Sequence, residues 1–131
     1  MYRILVSVLI LLWAAGAGAQ PQLANPASVN CIQQGGKLMI ERRPNGGEFG
    51  VCVFADNHQC EEWALLRGEC PKTGLRVTGF ATPAGRYCAI TGGRYSVVSA
   101  PGAIPEQGIC ALSSRTSCPA DAYYAGTCPV R

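Results

Sequence analysis

The sequence carries little charge: charged residues make up 15% of its 131 residues, and the formal net charge is +3. When residues 1–19 are set aside, ten basic residues remain against eight acidic ones. A protein that binds nucleic acid needs a basic surface that neutralises several phosphates. The composition therefore excludes nucleic acid as a partner.

Residues that serve in catalytic centres are also scarce. His58 is the only histidine, no serine lies in a nucleophile-elbow pattern, and no glycine loop precedes Lys-Ser or Lys-Thr. Glu61 and Glu62 are adjacent, so on a helix they point apart and favour its N-terminus electrostatically. We therefore expect a protein without catalytic activity or cofactor, with His58 in an exposed loop.

The chain has one long apolar run, from residue 4 to residue 15, in which Ser7 is the only polar residue. The following Ala17-Gly18-Ala19 has the small-x-small form of a signal peptidase site. A transmembrane helix needs ~20 apolar residues, and this run is shorter. We predict that residues 1–19 are a signal peptide cleaved after Ala19. The protein is then exported, periplasmic or secreted, without a stable membrane anchor.

Cysteine, in contrast, is abundant, and an even number in a short exported chain indicates a disulfide framework. The first four cysteines are separated by 21, 8 and 10 positions, and the last four by 22, 8 and 10. Zinc sites usually contain cysteines two to four residues apart, which these are not, so we predict no metal site. The eight positions are Cys31, Cys52, Cys60, Cys70, Cys88, Cys110, Cys118 and Cys128.

The cysteine spacing indicates a duplication of one four-cysteine module. The first module spans residues 24–71, a linker spans residues 72–80, and a second, degenerate module spans residues 81–129. Glycines with matching spacing support the repeat and are assigned structural roles: Gly35, Gly36 and Gly68 in the first module, and Gly92, Gly93 and Gly126 in the second.

Each module is predicted to begin with a helix. In the first module Asn25 is the candidate N-cap and Pro26 the first helical residue, because proline lacks an amide that would have no partner there. Gly35 and Gly36 end this helix, one of them in the left-handed conformation.

A hairpin and a second helix are predicted to follow. Lys37–Arg43 and Phe49–Phe54 flank the turn residues 44–47, a pattern typical of a two-stranded hairpin. The second helix runs from Cys60 to Arg67 and ends at Gly68. The predicted fold class is a small disulfide-rich α+β protein with two tandem helix-hairpin-helix modules, α-β-β-α each.

The second helix places Cys60 and Trp63 on one face, which predicts Trp63 as the centre of the small core. In the second module Asp121 takes this position, and Tyr123 and Tyr124 replace two leucines. The tyrosine pair belongs either to the core or to an exposed binding surface.

The residues alone leave three possible disulfide pairings in each module. A continuous helix across residues 60–70 would separate its two cysteines by ~15 Å, too far for a bridge. A disulfide between Cys60 and Cys70 therefore requires a sharp turn at Gly68.

Several segments of the first module are typical of a known family: Ala24-Asn25-Pro26-Ala27-Ser28 before Cys31, Gly50-Val51-Cys52-Val53-Phe54 with Asp56, Cys60-Glu61-Glu62-Trp63-Ala64, and Arg67-Gly68-Glu69-Cys70. With them the module resembles domain of unknown function 333, a family of small exported bacterial proteins that often carry a hemolysin label. The resemblance implies the pairs Cys31–Cys52 and Cys60–Cys70. The repeat extends this to Cys88–Cys110 and Cys118–Cys128.

We expect a non-enzymatic, monomeric protein that binds a protein or glycan of the cell envelope or exterior. One alternative is an inhibitor of a secreted protease or glycosidase, since a braced hairpin presents a loop at little entropic cost. The candidate loops are Arg42–Glu48 and Ala100–Glu106, unless they are ordinary turns. The family label implies another alternative, a membrane-active hemolysin, although residues 20–131 contain no long amphipathic helix, second apolar run or basic cluster.

Overall fold

The structure is a computed structural model that describes residues 24–113 and 115–128. The predicted signal peptide, its cleavage site and the last residue of the second module lie outside the described residues. The described chain contains these helices and strands: α1 (Pro26–Gln33), β1 (Lys37–Arg42), β2 (Glu48–Phe54), β3 (His58–Glu61), α2 (Glu62–Leu66), β4 (Leu75–Arg76), α3 (Pro83–Ile90), β5 (Arg94–Val97), β6 (Gly108–Ala111), β7 (Ser117–Pro119) and α4 (Ala120–Ala125).

α1 forms where the sequence predicts it. The Asn25 side chain accepts hydrogen bonds from the amides of Ala27 and Ser28, at 2.9 and 3.3 Å. The helix ends at Gln33, and Gly35 follows with a φ of +86°. The predicted cap and the predicted glycine stop are both confirmed.

The strands form two antiparallel sheets, with the orders β1-β2-β3-β4 and β5-β6-β7. β2 lies inside its sheet and needs hydrogen-bond partners on both edges, which β1 and β3 supply. Cys60 therefore lies in β3 opposite Cys52, not in a helix. We call residues 24–80 and 81–128 the two halves of the chain. Each half has three strands between its two helices, so the predicted order α-β-β-α is wrong and is replaced by α-β-β-β-α.

The segment predicted as a linker contributes to the fold. In β4, Leu75 and Arg76 lie opposite Gln59 and His58 of β3. Val77 follows and is buried at 6% exposure. Leu75 and Arg76 within this segment thus add a short strand to the first sheet.

The four disulfides are those implied by the family resemblance and the repeat: Cys31–Cys52, Cys60–Cys70, Cys88–Cys110 and Cys118–Cys128. Their Cα atoms lie 5.6 to 6.1 Å apart, within the usual range. Gly68, with a φ of +74°, turns the chain back after α2 so that Cys70 reaches Cys60. The predicted turn at Gly68 is confirmed, and α2 is shorter than predicted.

The core of the first half is built around its disulfides and not around Trp63. Trp63 is 39% exposed, so its assignment as the core centre is wrong. Because α2 begins at Glu62, Glu62 and Leu65 occupy its inner face, three residues apart, and both are buried. Trp63 consequently lies on the outer side.

The two halves share a hydrophobic cluster. Val51 of β2, Val77 and Ile90 of α3 are buried together. Phe49 meets Tyr87 of α3 edge to face, with 5.1 Å between the ring centroids. The first sheet therefore has α1 and α2 on one face and α3 on the other.

Polar contacts join the halves as well. Arg43 donates hydrogen bonds to the carbonyl oxygens of Tyr123 and Tyr124 at 2.8 and 3.0 Å. The rings of these two tyrosines lie 5.2 and 5.1 Å from the Tyr87 ring. The pair is half-buried between the halves, which favours the core alternative over an exposed binding surface.

Candidate functional site

The first candidate loop, Arg42–Glu48, is a tight turn engaged with the other half of the chain. The Arg43 amide donates to the Gly47 carbonyl at 2.8 Å. The Arg43 side chain binds the end of α4 and lies 4.9 Å from the centroid of the Tyr87 ring. Arg43 thus joins this turn to the other half, while Arg42 and residues 44–48 are exposed.

The second candidate, Ala100–Glu106, lies in the connection between β5 and β6, residues 98–107, which we call the long loop. Hydrogen bonds close its base. The Val98 amide donates to the Gln107 carbonyl at 2.9 Å, and the Gln107 amide donates to the Ser99 hydroxyl at 3.0 Å. The disulfide between the buried residues Cys88 and Cys110 links α3 to β6, the strand that follows the loop.

Apolar side chains of this region point into solvent. Ile104 is 98% exposed, the highest value among the large hydrophobic residues of the described chain. Val98, which begins the loop, is 62% exposed, and Val97, the last residue of β5, is 51% exposed. Exposed apolar groups that lie close together mark sites where proteins meet partners.

A cavity of about 490 Å³ lies between the long loop and the start of α3. Its volume falls within the range of small-ligand sites, which are mostly apolar with a few polar groups. Its lining includes Ala81, Thr82, Val97, Ile104, Pro105 and Glu106.

Glu106 is held at this cavity by Tyr95 of β5. The Tyr95 hydroxyl donates to Glu106 Oε1 at 2.7 Å. The Tyr95 ring lies against Gly85 and Gly108, where an added Cβ would collide with the ring. Burial, and then the hydrogen bond to Glu106, raises the pKa of Tyr95 above its ordinary value. The phenol therefore keeps its proton at neutral pH and remains a donor.

His58 does not lie in the exposed loop that we expected. It begins β3 and is half-buried. Its Nδ1 lies 3.0 Å from the Asp56 carbonyl and 3.2 Å from the Ala55 carbonyl. The imidazole thus contacts the backbone of the preceding turn.

The adjacent glutamates have separate structural roles. Glu61 caps α2 by accepting hydrogen bonds from the amides of Trp63 and Ala64, at 3.1 and 2.9 Å. Glu62 is 5% exposed and accepts a hydrogen bond from the Ser28 hydroxyl at 2.6 Å. Their predicted place at a helix N-terminus is confirmed, whereas the contact with Ser28 was missed because it joins distant parts of the chain.

The glycines of the predicted pairs Gly35-Gly36 and Gly92-Gly93 have different structural roles within each pair. The first has a positive φ, +86° at Gly35 and +94° at Gly92, and turns the chain out of the helix. The second lies against the disulfide of its own half, because a Cβ at Gly36 or Gly93 would collide with a cysteine sulfur. Gly126, at +76°, ends α4 as Gly68 ends α2.

No helix of the described residues has the length and apolar character needed to cross a membrane. Residues 24–113 and 115–128 contain no group of three or more His, Cys, Asp or Glu side chains that could hold a metal ion.

Comparison with known proteins gives one family. Residues 22–69 match the model described as Domain of unknown function (DUF333). No curated protein and no solved structure matches the chain. The matched segment contains α1 through α2, whereas the long loop and its cavity lie beyond it.

Proposed function

The chain belongs, through residues 22–69, to the family described as Domain of unknown function (DUF333), and we propose that it is a non-enzymatic binding protein of the cell envelope or exterior. Its partner is a protein or a glycan, and its contact surface is the long loop with the adjoining cavity. The observation that carries this proposal is the 98% exposure of Ile104 on a loop whose base is fixed by hydrogen bonds.

The construction of the loop supports a binding role. A partner that contacts a segment already held in place does not have to order it, so less conformational entropy is lost on association. Four disulfides are typical of proteins that fold outside the reducing cytoplasm. We include in the proposal the cleaved signal peptide, the monomeric state and the origin of residues 81–129 as a degenerate second module.

Site-specific photo-crosslinking tests this proposal. A photoreactive amino acid is placed at Ile104 in one sample of the mature oxidised protein and at Ile40 in another, and each is irradiated in envelope extract. Ile40 is a matched control, because it is 58% exposed and lies on β1 in the other half. We expect a discrete crosslinked species from position 104 that position 40 does not give.

Competition shows whether that species is specific. Unlabelled wild-type protein should abolish it, and unlabelled Ile104→Ser should compete at least about tenfold less well, since a buried aliphatic contact contributes about 1.5–3 kcal/mol. Identical crosslinking patterns from the two positions, or equal competition by wild type and Ile104→Ser, would contradict the proposal.

The absence of catalysis is tested at His58. If the protein works by binding, His58→Ala should leave the crosslink from position 104 and any effect on the partner unchanged. Loss of an effect on the partner with the crosslink intact would instead indicate a catalytic imidazole.

Inhibition of a secreted protease or glycosidase is a second candidate, favoured by the protrusion of Ile104 from a braced loop. A panel of secreted proteases and lysozymes is assayed with wild-type protein and with Ile104→Asp. Inhibition by the wild type that the Ile104→Asp variant loses would select this candidate. Unchanged rates across the panel would remove it.

A further inference from the structure

The cavity beside the long loop is mostly apolar; the side chains of Thr82 and Ser99 add hydroxyl groups, and one side chain is charged. Ala81, Val97 and Pro105 contribute hydrocarbon surface. Among the described residues that line the cavity, Glu106 is the one that carries a charge. An apolar wall with a carboxylate at its edge distinguishes cationic from anionic ligands.

The Glu106 carboxylate is positioned but not neutralised within the described chain. One oxygen, Oε1, accepts the Tyr95 hydroxyl. The ion pairs found within residues 24–113 and 115–128 involve other carboxylates, those of Glu48, Glu69, Asp56 and Glu41. Within these residues, the second oxygen of the half-buried Glu106 accepts no side-chain hydrogen bond.

The position of Glu106 is fixed by packing as well as by this hydrogen bond. The Tyr95 ring occupies space that opens because Gly85 in α3 and Gly108 in β6 lack side chains. Phe80 packs against the same ring, with 6.0 Å between centroids. The carboxylate is thus held before any ligand arrives, which reduces the entropy lost on binding.

We propose that this cavity binds an aliphatic chain that ends in a primary ammonium group, such as the side chain of a lysine. This inference rests on the proposed function and specifies the ligand class of the same surface. The methylenes pack on Ala81, Val97 and Pro105, as lysine stems do on apolar surfaces. The ammonium donates to Glu106 in a charge-assisted hydrogen bond. Anions are disfavoured, because the described lining offers them no cation.

The test is a titration of the oxidised protein followed by backbone amide NMR. The probes are Nα-acetyl-lysine-N-methylamide, its norleucine counterpart, which lacks the ammonium, and free 1,5-diaminopentane. We expect the lysine probe to shift the amides of residues 97–106 with about tenfold higher affinity than the norleucine probe, the difference that one charge-assisted hydrogen bond provides. Added salt should weaken binding of the lysine probe.

Two variants test whether the Glu106 carboxylate is the group that binds the ammonium. Glu106→Gln should reduce affinity for the lysine probe about tenfold while it retains an oxygen that accepts from Tyr95, so the fold is preserved. Glu48→Gln is the matched control and should change nothing, because Glu48 is an exposed glutamate of the other hairpin. Equal binding of the lysine and norleucine probes, an unaffected Glu106→Gln variant, or no shifts in residues 97–106 would overturn the proposal.

A primary ammonium could come from a lysine of a polypeptide or from a free polyamine, and the diamine probe distinguishes these two sources. Binding of the lysine probe without the diamine indicates a lysine in a polypeptide partner, and tighter binding of the diamine indicates a free polyamine. If the crosslink from position 104 persists while no ammonium probe binds, the ligand class is wrong and the binding function stands. If that crosslink is absent, the binding function itself fails.

Discussion

At the residue scale, α2 contains two neighbouring leucines that differ in burial. Leu65 is 6% exposed and packs in the disulfide core, whereas Leu66 is 41% exposed. We expect Leu65→Ala to lower the free energy of unfolding by about 2–4 kcal/mol through lost burial and the cavity left behind. Leu66→Ala should lower it by about 1 kcal/mol or less. Urea denaturation with the disulfides intact measures both, and equal losses would contradict this assignment of the inner face.

The wrong prediction that Trp63 is buried has the same cause as the difference between Leu65 and Leu66, namely the residue at which α2 begins. The sequence predicted a helix beginning at Cys60, which would place Trp63 on the inner face. In the structure β3 continues through Glu61, so the helix begins two residues later and its inner face falls on Glu62 and Leu65. The phase of a short helix depends on where it begins, and here the pairing of β3 with β2 decides that.

Contacts between distant residues were missed at this scale. The hydrogen bond from Tyr95 to Glu106 spans a loop, and that from Ser28 to Glu62 joins two helices. Neither belongs to a local motif, so no spacing in the sequence signals it. The caps and turns formed by Asn25, Gly35 and Gly68 were predictable because their partners lie within a few residues.

At the scale of elements, the end of the first helix in each half is coupled to a disulfide. A Cβ at Gly36 would collide with Cys52 Sγ, and one at Gly93 would lie 2.5 Å from Cys110 Sγ. Neither sulfur can move freely, because each is bonded across to a helix. We therefore expect Gly36→Ala and Gly93→Ala each to lower the free energy of unfolding by about 1–3 kcal/mol through overpacking.

Mass spectrometry and denaturation check this prediction. Each variant should also yield less fully oxidised protein on refolding than the wild type. Gly79→Ala is the control, because a Cβ there meets open space and its backbone φ lies outside the left-handed region. Wild-type stability and yield in both variants would show that the second glycine of each pair is not needed for the disulfide.

The elements that the sequence predicted are those with local signals. α1 has a cap and a stop, and the hairpin of β1 and β2 has a turn between two apolar strands. β3 and β4 have neither, since β4 contains two residues and β3 is fixed by its position beside β2. The α-β-β-α prediction failed at the strands whose existence depends on the assembled sheet.

At the scale of the whole molecule, a partly buried ion pair joins the halves. Arg86 of α3 binds Glu41 of β1 through two hydrogen bonds of 2.7 and 2.8 Å, and also donates to Gln59 at 2.8 Å. The Arg86 side chain is 21% exposed. We expect Arg86→Met to lower the free energy of unfolding by about 1–3 kcal/mol, because Glu41 loses its partner in a partly buried position.

An exposed ion pair provides the comparison. Arg42 and Glu48 pair at 3.1 Å, but their side chains are 74% and 57% exposed. Arg42→Met should change the free energy of unfolding by less than about 0.5 kcal/mol, as is typical of exposed pairs. Chemical denaturation of both variants measures the difference. A similar loss in each would mean that the contact between Arg86 and Glu41 does not bind the halves together.

The contact between the halves also predicts sensitivity to alkaline pH. Tyr87 is 8% exposed, and burial raises its pKa, an effect that Arg43 partly opposes. An unfolded tyrosine titrates near pH 10, so the folded state holds the Tyr87 proton to higher pH than the unfolded state does. This contribution to stability is complete below about pH 10 and is lost as pH rises through the folded-state pKa.

Tyr87→Phe isolates this titration. The free energy of unfolding of the wild type should fall as pH rises above about 10, and Tyr87→Phe should fall less steeply because it has no phenol to ionise between the halves. Tyr95→Phe is the comparison, since the pKa of Tyr95 is also raised but its ring lies beside the long loop. Denaturation curves at several alkaline pH values, with the disulfides intact, give the slopes. The same slope in the wild type and in Tyr87→Phe would show that the junction tolerates an ionised phenol, and that Tyr87 does not limit how the two halves hold together at high pH.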